Sequence, residues 1–376
     1  MLRRLTVWLP ILVLALAAAA AVAAAPALPG AGSDAYTVPV KLTCLPAGGY
    51  TLKTISSCKG MLADTRRDIP AGSQISFVPS GELVLARING QEFKQTAAEL
   101  TGKFAWGDSR IYAGTLRIRC SKGRLSGVCV TDLEDYTAGV LACEIGALAP
   151  AEALKAMAVA VRTYAVCRAA KTELCDSSHC QNFRGVTENP KLTGAAAATA
   201  GQLMLCKGVP IEAMYSADCG GVTEQGNAPY LKSKKEPSDM KGHRSWTYVY
   251  PKSKLSALLG LGTITRITVA ECTPSGRIRT LVVYDGDADK TVRISGDNLR
   301  SRLGYANLKS TFFTVAVIEK DVVFSGKGYG HGKGLCQAGI TELAGRGWDH
   351  KRILAWYYDG IVITDIGTYK QAAGRK

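Results

Sequence analysis

The stretch LEDYTAGVLACEIGALAPAEALKAMAVAVRTYAV, residues 133–166, decides how the chain is read. Its second half predicts a helix. Pro150 suits a first helical turn, Glu152 follows in the positively polarised end, and Leu154, Met157, Val161 and Ala165 recur at helical spacing. So alanine-rich and apolar a helix belongs in a core. Lys155 and Arg162, seven residues apart, project to nearly the same side of it. The run before Cys143 reads as a strand, which leaves Glu144 between Cys143 and Ile145 at a strand-to-helix junction. A carboxyl group desolvated by apolar neighbours has a raised pKa and can wait protonated as a general acid. A helix N-terminus and Lys155 or Arg162 pull the other way, and a capping or salt-bridged Glu is the plainer alternative.

Outward from this stretch the fold class is α+β: β-rich, with barrel-like strands, and with the buried helix following Glu144. Residues 28–127 form a β-rich region of short alternating runs, such as TLRIRC, which sets Leu116, Ile118 and Cys120 on one face and Arg117 and Arg119 on the other. Residues 128–365 carry the chemistry-bearing motifs. TITRITVAEC, RIRTLVVYD and FTVAVIEKDVVFSG read there as strands, and a helix and ILAWYYDGIVI close the region. Residues 366–376 read as a frayed tail.

Residues 1–27 have the form of a signal peptide: Arg3 and Arg4, an uncharged run from Leu5 to Ala25, and small residues at an A-x-A site. The same run is long enough to anchor in a membrane if it is not cleaved. Its removal takes away two arginines and no acid, lowering the net charge only from +15 to +13. An exported basic protein meets anionic polymers of the envelope, so cell wall is the expected partner. Nucleic acid is not, because lysine and arginine are spread along the chain rather than gathered in blocks. Twelve cysteines in an oxidising compartment predict several disulfides. Cys120 and Cys129 bracket a hairpin-like SKGRLSG, and Cys44 and Cys58 bracket a Gly-Gly turn.

Several familiar sites are excluded. The glycine-rich GKGYGHGKGLCQAG, 326–339, fits neither the P-loop pattern nor G-x-G-x-x-G. It leaves alternating glycines around His331, where backbone can approach a ligand closely. No G-x-S-x-G elbow exists, and Cys143 or Cys336 in an oxidising compartment is better explained by a disulfide than as a nucleophile. CDSSHC, 175–180, gathers two thiols and an imidazole, a set that suits zinc with a fourth ligand or a plain Cys175–Cys180 disulfide.

YTAGVLACE followed by EALKAMAVAVRTYA, and then in order HCQNFRG, YSADCGG, SGRI, SGDNLRSRLG, GYGHGKGLCQAG and ILAWYYDG, resemble the SpoIID/LytB family. That family is named for stage II sporulation protein D and an amidase enhancer, and contains peptidoglycan lytic transglycosylases. The resemblance runs from about residue 130 to 362 and implies a catalytic domain over 128–365. It implies that Glu144 is the catalytic acid and base, and that Cys175, His179 and Cys180 hold a structural zinc. Lys155, Arg162, Tyr164, His331 and Gln337 become candidates for gripping the sugar. Its implied partners are glycan strands, those stripped of stem peptides included, and a cell-wall amidase. The chain departs from the family at Met157, where Gln is usual, and at Leu335-Cys336, where Met-Ser is frequent.

Overall fold

The computed structural model describes residues 36–107 and 109–373, so the expected signal segment 1–27 lies outside the described residues. An eleven-stranded sheet occupies the N-terminal part. Thr37–Lys41 buries Val38 and Val40 by strict alternation and pairs antiparallel with Arg124–Asp132, which pairs in turn with Arg110–Ser121. Lys122 and Gly123, both at positive φ, make the two-residue turn of that hairpin. The sheet is open rather than barrel-like: its outermost strands, Leu174–Cys175 and Gln91–Gln95, are not paired with each other. Leu174–Cys175 joins it in parallel beside Val40 and Lys41, which fastens the Cys/His loop to the sheet edge.

The strand expected before Glu144 is a helix. Asp132 caps it by accepting from the Glu134 and Asp135 N–H groups, and Leu133, Tyr136, Thr137, Val140 and Leu141 form its buried face at i, i+3, i+4, i+7 and i+8. This helix, α1, spans Leu133–Glu144, so Glu144 is its last residue. α2, Ala151–Ala169, begins only after a further loop, and its start is not the neighbour that the sequence reading gave Glu144. α2 is buried from Ala153 to Cys167 apart from Lys155 and packs against α1, α3 (Pro190–Ala198) and Gln202–Cys206, which closes nearly every side of it.

A second hydrophobic core, with Trp246, Leu255, Leu281, Leu299, Phe313 and Phe324, lies within the stretch expected to form one catalytic domain. It holds two three-stranded sheets, together with α4 (Lys252–Leu259) and α5 (Gly296–Leu303). The chain then returns to the main core through α6 (Gln337–Gly345) and α7 (His350–Tyr357). The expected frayed tail is instead structured at its start: Ile366–Ala373 forms α8, with Tyr369 buried in the main core. None of the described helices is long and apolar enough to cross a membrane.

None of the twelve cysteines is bonded to another in the structure, where several disulfides were expected. Register explains one case. The hairpin forms, but Cys120 faces Leu125 and Cys129 faces Leu116, so the two sulfurs are four residues out of step.

α1 approaches the 182–185 segment through Gly139, where a Cβ would stand 2.3 Å from the Gly185 carbonyl oxygen and 2.7 Å from the Phe183 ring. Gly139→Ala is therefore expected to cost about 1–3 kcal/mol in a denaturant titration, through overpacking rather than helix propensity.

Candidate active site

Glu144 stands on the wall of a cleft of about 570 Å³ between the two cores. Main-core segments contribute Glu144, Ile145, Gln337 and Thr341, and the other wall brings Arg244, Trp246, Lys309 and Tyr329. The volume is in the range of small-molecule and sugar-sized sites. Glu144 is half-buried. Its Oε1 accepts from the backbone N–H of Asn182 at 3.0 Å and from Asn182 Nδ2 at 2.9 Å, and its Oε2 accepts from Gln337 Nε2 at 3.4 Å. Gln337 is the first residue of α6, so the helix start aims it at the acid. Gln181 bridges the buried Tyr136 and the partly buried Tyr215, accepting from Tyr136 OH and donating to Tyr215 OH, each at 3.1 Å.

The cleft holds a second carboxylate, Asp218, already engaged. Its Oδ1 accepts from the Gly220 N–H and contacts His243 Nδ1, both at 2.7 Å, and its Oδ2 accepts from the Arg244 N–H at 2.8 Å. Burial would raise its pKa, but His243 and these backbone donors outweigh it and hold the carboxyl below its ordinary value. Asp359 is paired with Lys232 and Lys234 and does not line the cleft.

Of the five residues expected to grip sugar, the structure brings only Gln337 to Glu144. Arg162 is fully buried and pairs with Glu134, Nε to Oε1 at 2.8 Å and a second contact through its other nitrogen, while also donating to the Ala196 carbonyl at 3.1 Å. Lys155 pairs with Glu152 at 2.7 Å, one turn back on α2. Tyr164 is buried on α2, and burial raises its phenol to about 12. His331 lies outside the cleft lining. Burial, with Lys333, Arg300 and Arg277 adding, pushes its pKa down to about 4, so the ring is neutral and its Nδ1 accepts the Lys333 N–H at 2.9 Å. The glycines around it make close approaches to protein rather than leaving room for a ligand. A Cβ on Gly334 would lie 2.1 Å from the Met214 carbonyl oxygen, and one on Gly332 2.2 Å from the Arg277 guanidinium.

The 175–180 loop does gather its donors: Cys175 Sγ and Cys180 Sγ each lie 3.6 Å from His179 Nδ1, and the three ligand atoms are within 4.8 Å of one another. Burial would raise the Cys175 pKa, but hydrogen bonding from Ser177, Cys180 and His179 outweighs it and lowers it to about 7. Two sulfurs, one of them easily ionised, and an imidazole fit a zinc-class ion on one side. Asn182 follows this loop by two residues, so whatever fixes the loop also fixes a donor to Glu144.

Asn182, Arg244, Trp246, Lys309 and Tyr329 were not singled out by sequence as parts of the site, whereas Asp218, like Asp359, was a candidate second acid for a hydrolase reading. Asn182 lay inside a quoted motif. Arg244, Trp246 and Lys309 belong to the second core, and no sequence signal ties them to an acid a hundred or more residues earlier.

Residues 121–205 match the SpoIID family, described as stage II sporulation protein, and residues 244–334 match a family described as a domain of unknown function, DUF8618. Proteins named stage II sporulation protein D from Bacillus amyloliquefaciens and Bacillus subtilis are each 30% identical to the chain, over 276 and 270 residues. Each match covers 63% of this chain, and 75% and 76% of those relatives. A Bacillus subtilis protein named amidase enhancer is 28% identical over 283 residues, 60% of this chain but only 40% of that relative.

Proposed function

Because the chain belongs to the SpoIID family, we propose that it is an exported peptidoglycan lytic transglycosylase whose acid and base is Glu144. The observation that carries the reading is the pairing of carboxylates in the cleft: Glu144 is held by neutral amides at its base, whereas Asp218 is tied up by His243 and two backbone N–H groups. A hydrolytic glycosidase needs a second working carboxylate to attack C1 or activate water. A lytic transglycosylase does not, because its nucleophile is the C6 hydroxyl of N-acetylmuramic acid. Glu144 donates its proton to the glycosidic oxygen as the C1–O bond to N-acetylglucosamine breaks, and positive charge spreads over C1 and the ring oxygen. The Glu144 carboxylate then takes the C6 hydroxyl proton as O6 bonds to C1. The 1,6-anhydro ring closes, Glu144 is protonated again, and no water is consumed.

The rest of the lining suits such a substrate. Arg244 and Lys309 offer cations to the muramic carboxylate, and the half-exposed Tyr329 offers a ring face to a sugar. Arg244→Ala is expected to raise KM about tenfold or more with a smaller change in kcat, the signature of lost ground-state binding, measured on purified glycan strands. Zinc on Cys175, His179 and Cys180 would serve as a fastener, holding the loop that carries Asn182. The charge of +15 suits an anionic wall.

A second reading, a wall binder that stimulates a partner amidase without cutting glycan, takes its support from the relative named amidase enhancer. Incubation with intact strands and with strands stripped of stem peptides, followed by mass analysis, separates the two. New anhydro ends, formed faster on the stripped strands, support the first reading; tight binding without new ends supports the second.

A further inference from the structure

Asp218, which lines the cleft, belongs to a second cluster of metal-ligand type, unrelated to the 175–180 loop. Asp218, Cys219, His243 and Cys336 place one donor atom each within 4.8 Å of one another, and all but His243 are buried. The elements that carry them are far apart in sequence. Asp218 and Cys219 follow the short strand Tyr215–Ser216, which pairs in parallel with Leu335–Cys336, and His243 enters from the loop ahead of the second core. Cys336 is the N-cap of α6, and its sulfur accepts the N–H groups of Gly339 at 3.3 Å and Cys219 at 3.2 Å.

Glu236 Oε2, 2.6 Å from His243 Nε2, orients the ring as a carboxylate orients a metal-binding imidazole, and this turns Nδ1 toward Asp218 Oδ1 at 2.7 Å. Asp218 and Glu236, two buried carboxylates, thus face the two nitrogens of one imidazole, with the sulfurs of Cys219 and Cys336 beside Asp218. Carboxylates and thiols gathered around one imidazole in the interior call for compensating positive charge, and a cation held by Nδ1, Asp218 and the two sulfurs supplies it.

We propose that Cys219, Cys336, His243 and Asp218 hold a divalent cation of zinc's class, with the Glu236 carboxylate balancing its charge from beside the site. Binding displaces to solvent the two thiol protons and the proton held between His243 Nδ1 and Asp218, which leaves a neutral imidazole as ligand. The donor set, two thiolates, one imidazole and one carboxylate, matches a closed four-ligand site, so the ion is a positioning element and not a catalyst. Its effect reaches the chemistry through neighbours in the chain: Cys336 precedes Gln337, which contacts Glu144, and Asp218 lines the cleft. The ion clamps the 215–219 segment to the start of α6 and sets the aim of Gln337.

The test reads metal, not activity, and so stands apart from the transglycosylase reading. The full chain is prepared with zinc, dialysed and assayed for bound metal as wild type, as Cys336→Ser, and as the double variant Cys175→Ser/Cys180→Ser. Serine is frequent in the family at the Cys336 position, so that variant is expected to fold. Cys336→Ser should hold one equivalent of zinc fewer than wild type. The double variant should keep the equivalent that Cys336→Ser loses and, reloaded with cobalt, should show thiolate-to-cobalt absorption. Equal zinc in wild type and Cys336→Ser overturns the proposal, as does a Cys219–Cys336 linked peptide in a non-reduced digest of the wild-type chain.

Discussion

Glu144→Gln is expected to slow formation of anhydro ends by about 10²–10⁴-fold, the contribution of a positioned general acid and base. Stability should stay within about 0.5 kcal/mol of wild type. The argument is local. The Gln side-chain oxygen can still accept from the Asn182 backbone N–H and Nδ2, so α1 and the 182 segment remain joined. The amide has no proton to give to the glycosidic oxygen and no basic oxygen to take one from C6. Chromatography of digested strands checks the rate, and urea titration checks the fold. Residual activity near wild type would move the acid elsewhere, to Asp218, the only other carboxylate that lines the cleft among the described residues.

Arg162→Ala is expected to cost about 3–5 kcal/mol, the range for removing one partner of a buried ion pair. Arg162 has no exposed surface, and its guanidinium joins α1 through Glu134, α3 through the Ala196 carbonyl, and the following strand through the Gln202 carbonyl at 3.4 Å. Truncation leaves the Glu134 carboxylate without its cation and takes one donor from the Gln202 carbonyl and one from the Ala196 carbonyl, which keeps the Thr199 N–H. Glu134 is about a third exposed and can be partly solvated, which favours the lower end of the range. Arg162→Lys should recover little, because one ammonium cannot reproduce a forked contact. Chemical denaturation measures the loss. A residue that gripped sugar would instead raise KM and leave the denaturation midpoint in place.

These two residues also show what the sequence could and could not convey. The ordered motifs placed Glu144 in a functional stretch and Gln337 near it, because both sit in short segments whose backbone course is local. α2 was legible as a buried helix from its apolar spacing. The shared side of Lys155 and Arg162 was legible too, but spacing says which residues share a side and not what covers it. α1, α3 and the strand at 202–206 cover Arg162, so the inferred sugar grip is an internal brace. α1 was misread as a strand although its signals were present: Asp132 before the run, Glu134 and Asp135 in the first turn, and apolar residues at helical spacing. Its small and β-branched residues, following directly on a strand, masked that period.

The opposing wall of the cleft was not legible. Arg244, Trp246 and Lys309 reach the site only because the second core folds against the first, a non-local event with no mark in the residues around Glu144. Cysteine spacing was similarly mute about pairing. It located the hairpin between Cys120 and Cys129 but carried no information on register, and it gave no reason to connect Cys219 with Cys336 across more than a hundred residues.

The most direct test of the central claim is cleavage of stripped glycan strands by the wild-type chain in heavy-oxygen water, with the new ends analysed by mass. If the C6 hydroxyl is the nucleophile and Glu144 the one working acid, the new muramic ends are anhydro, lighter by one water than hydrolytic ends, and carry no label. Reducing ends carrying heavy oxygen would show that water attacks C1, and would contradict the account.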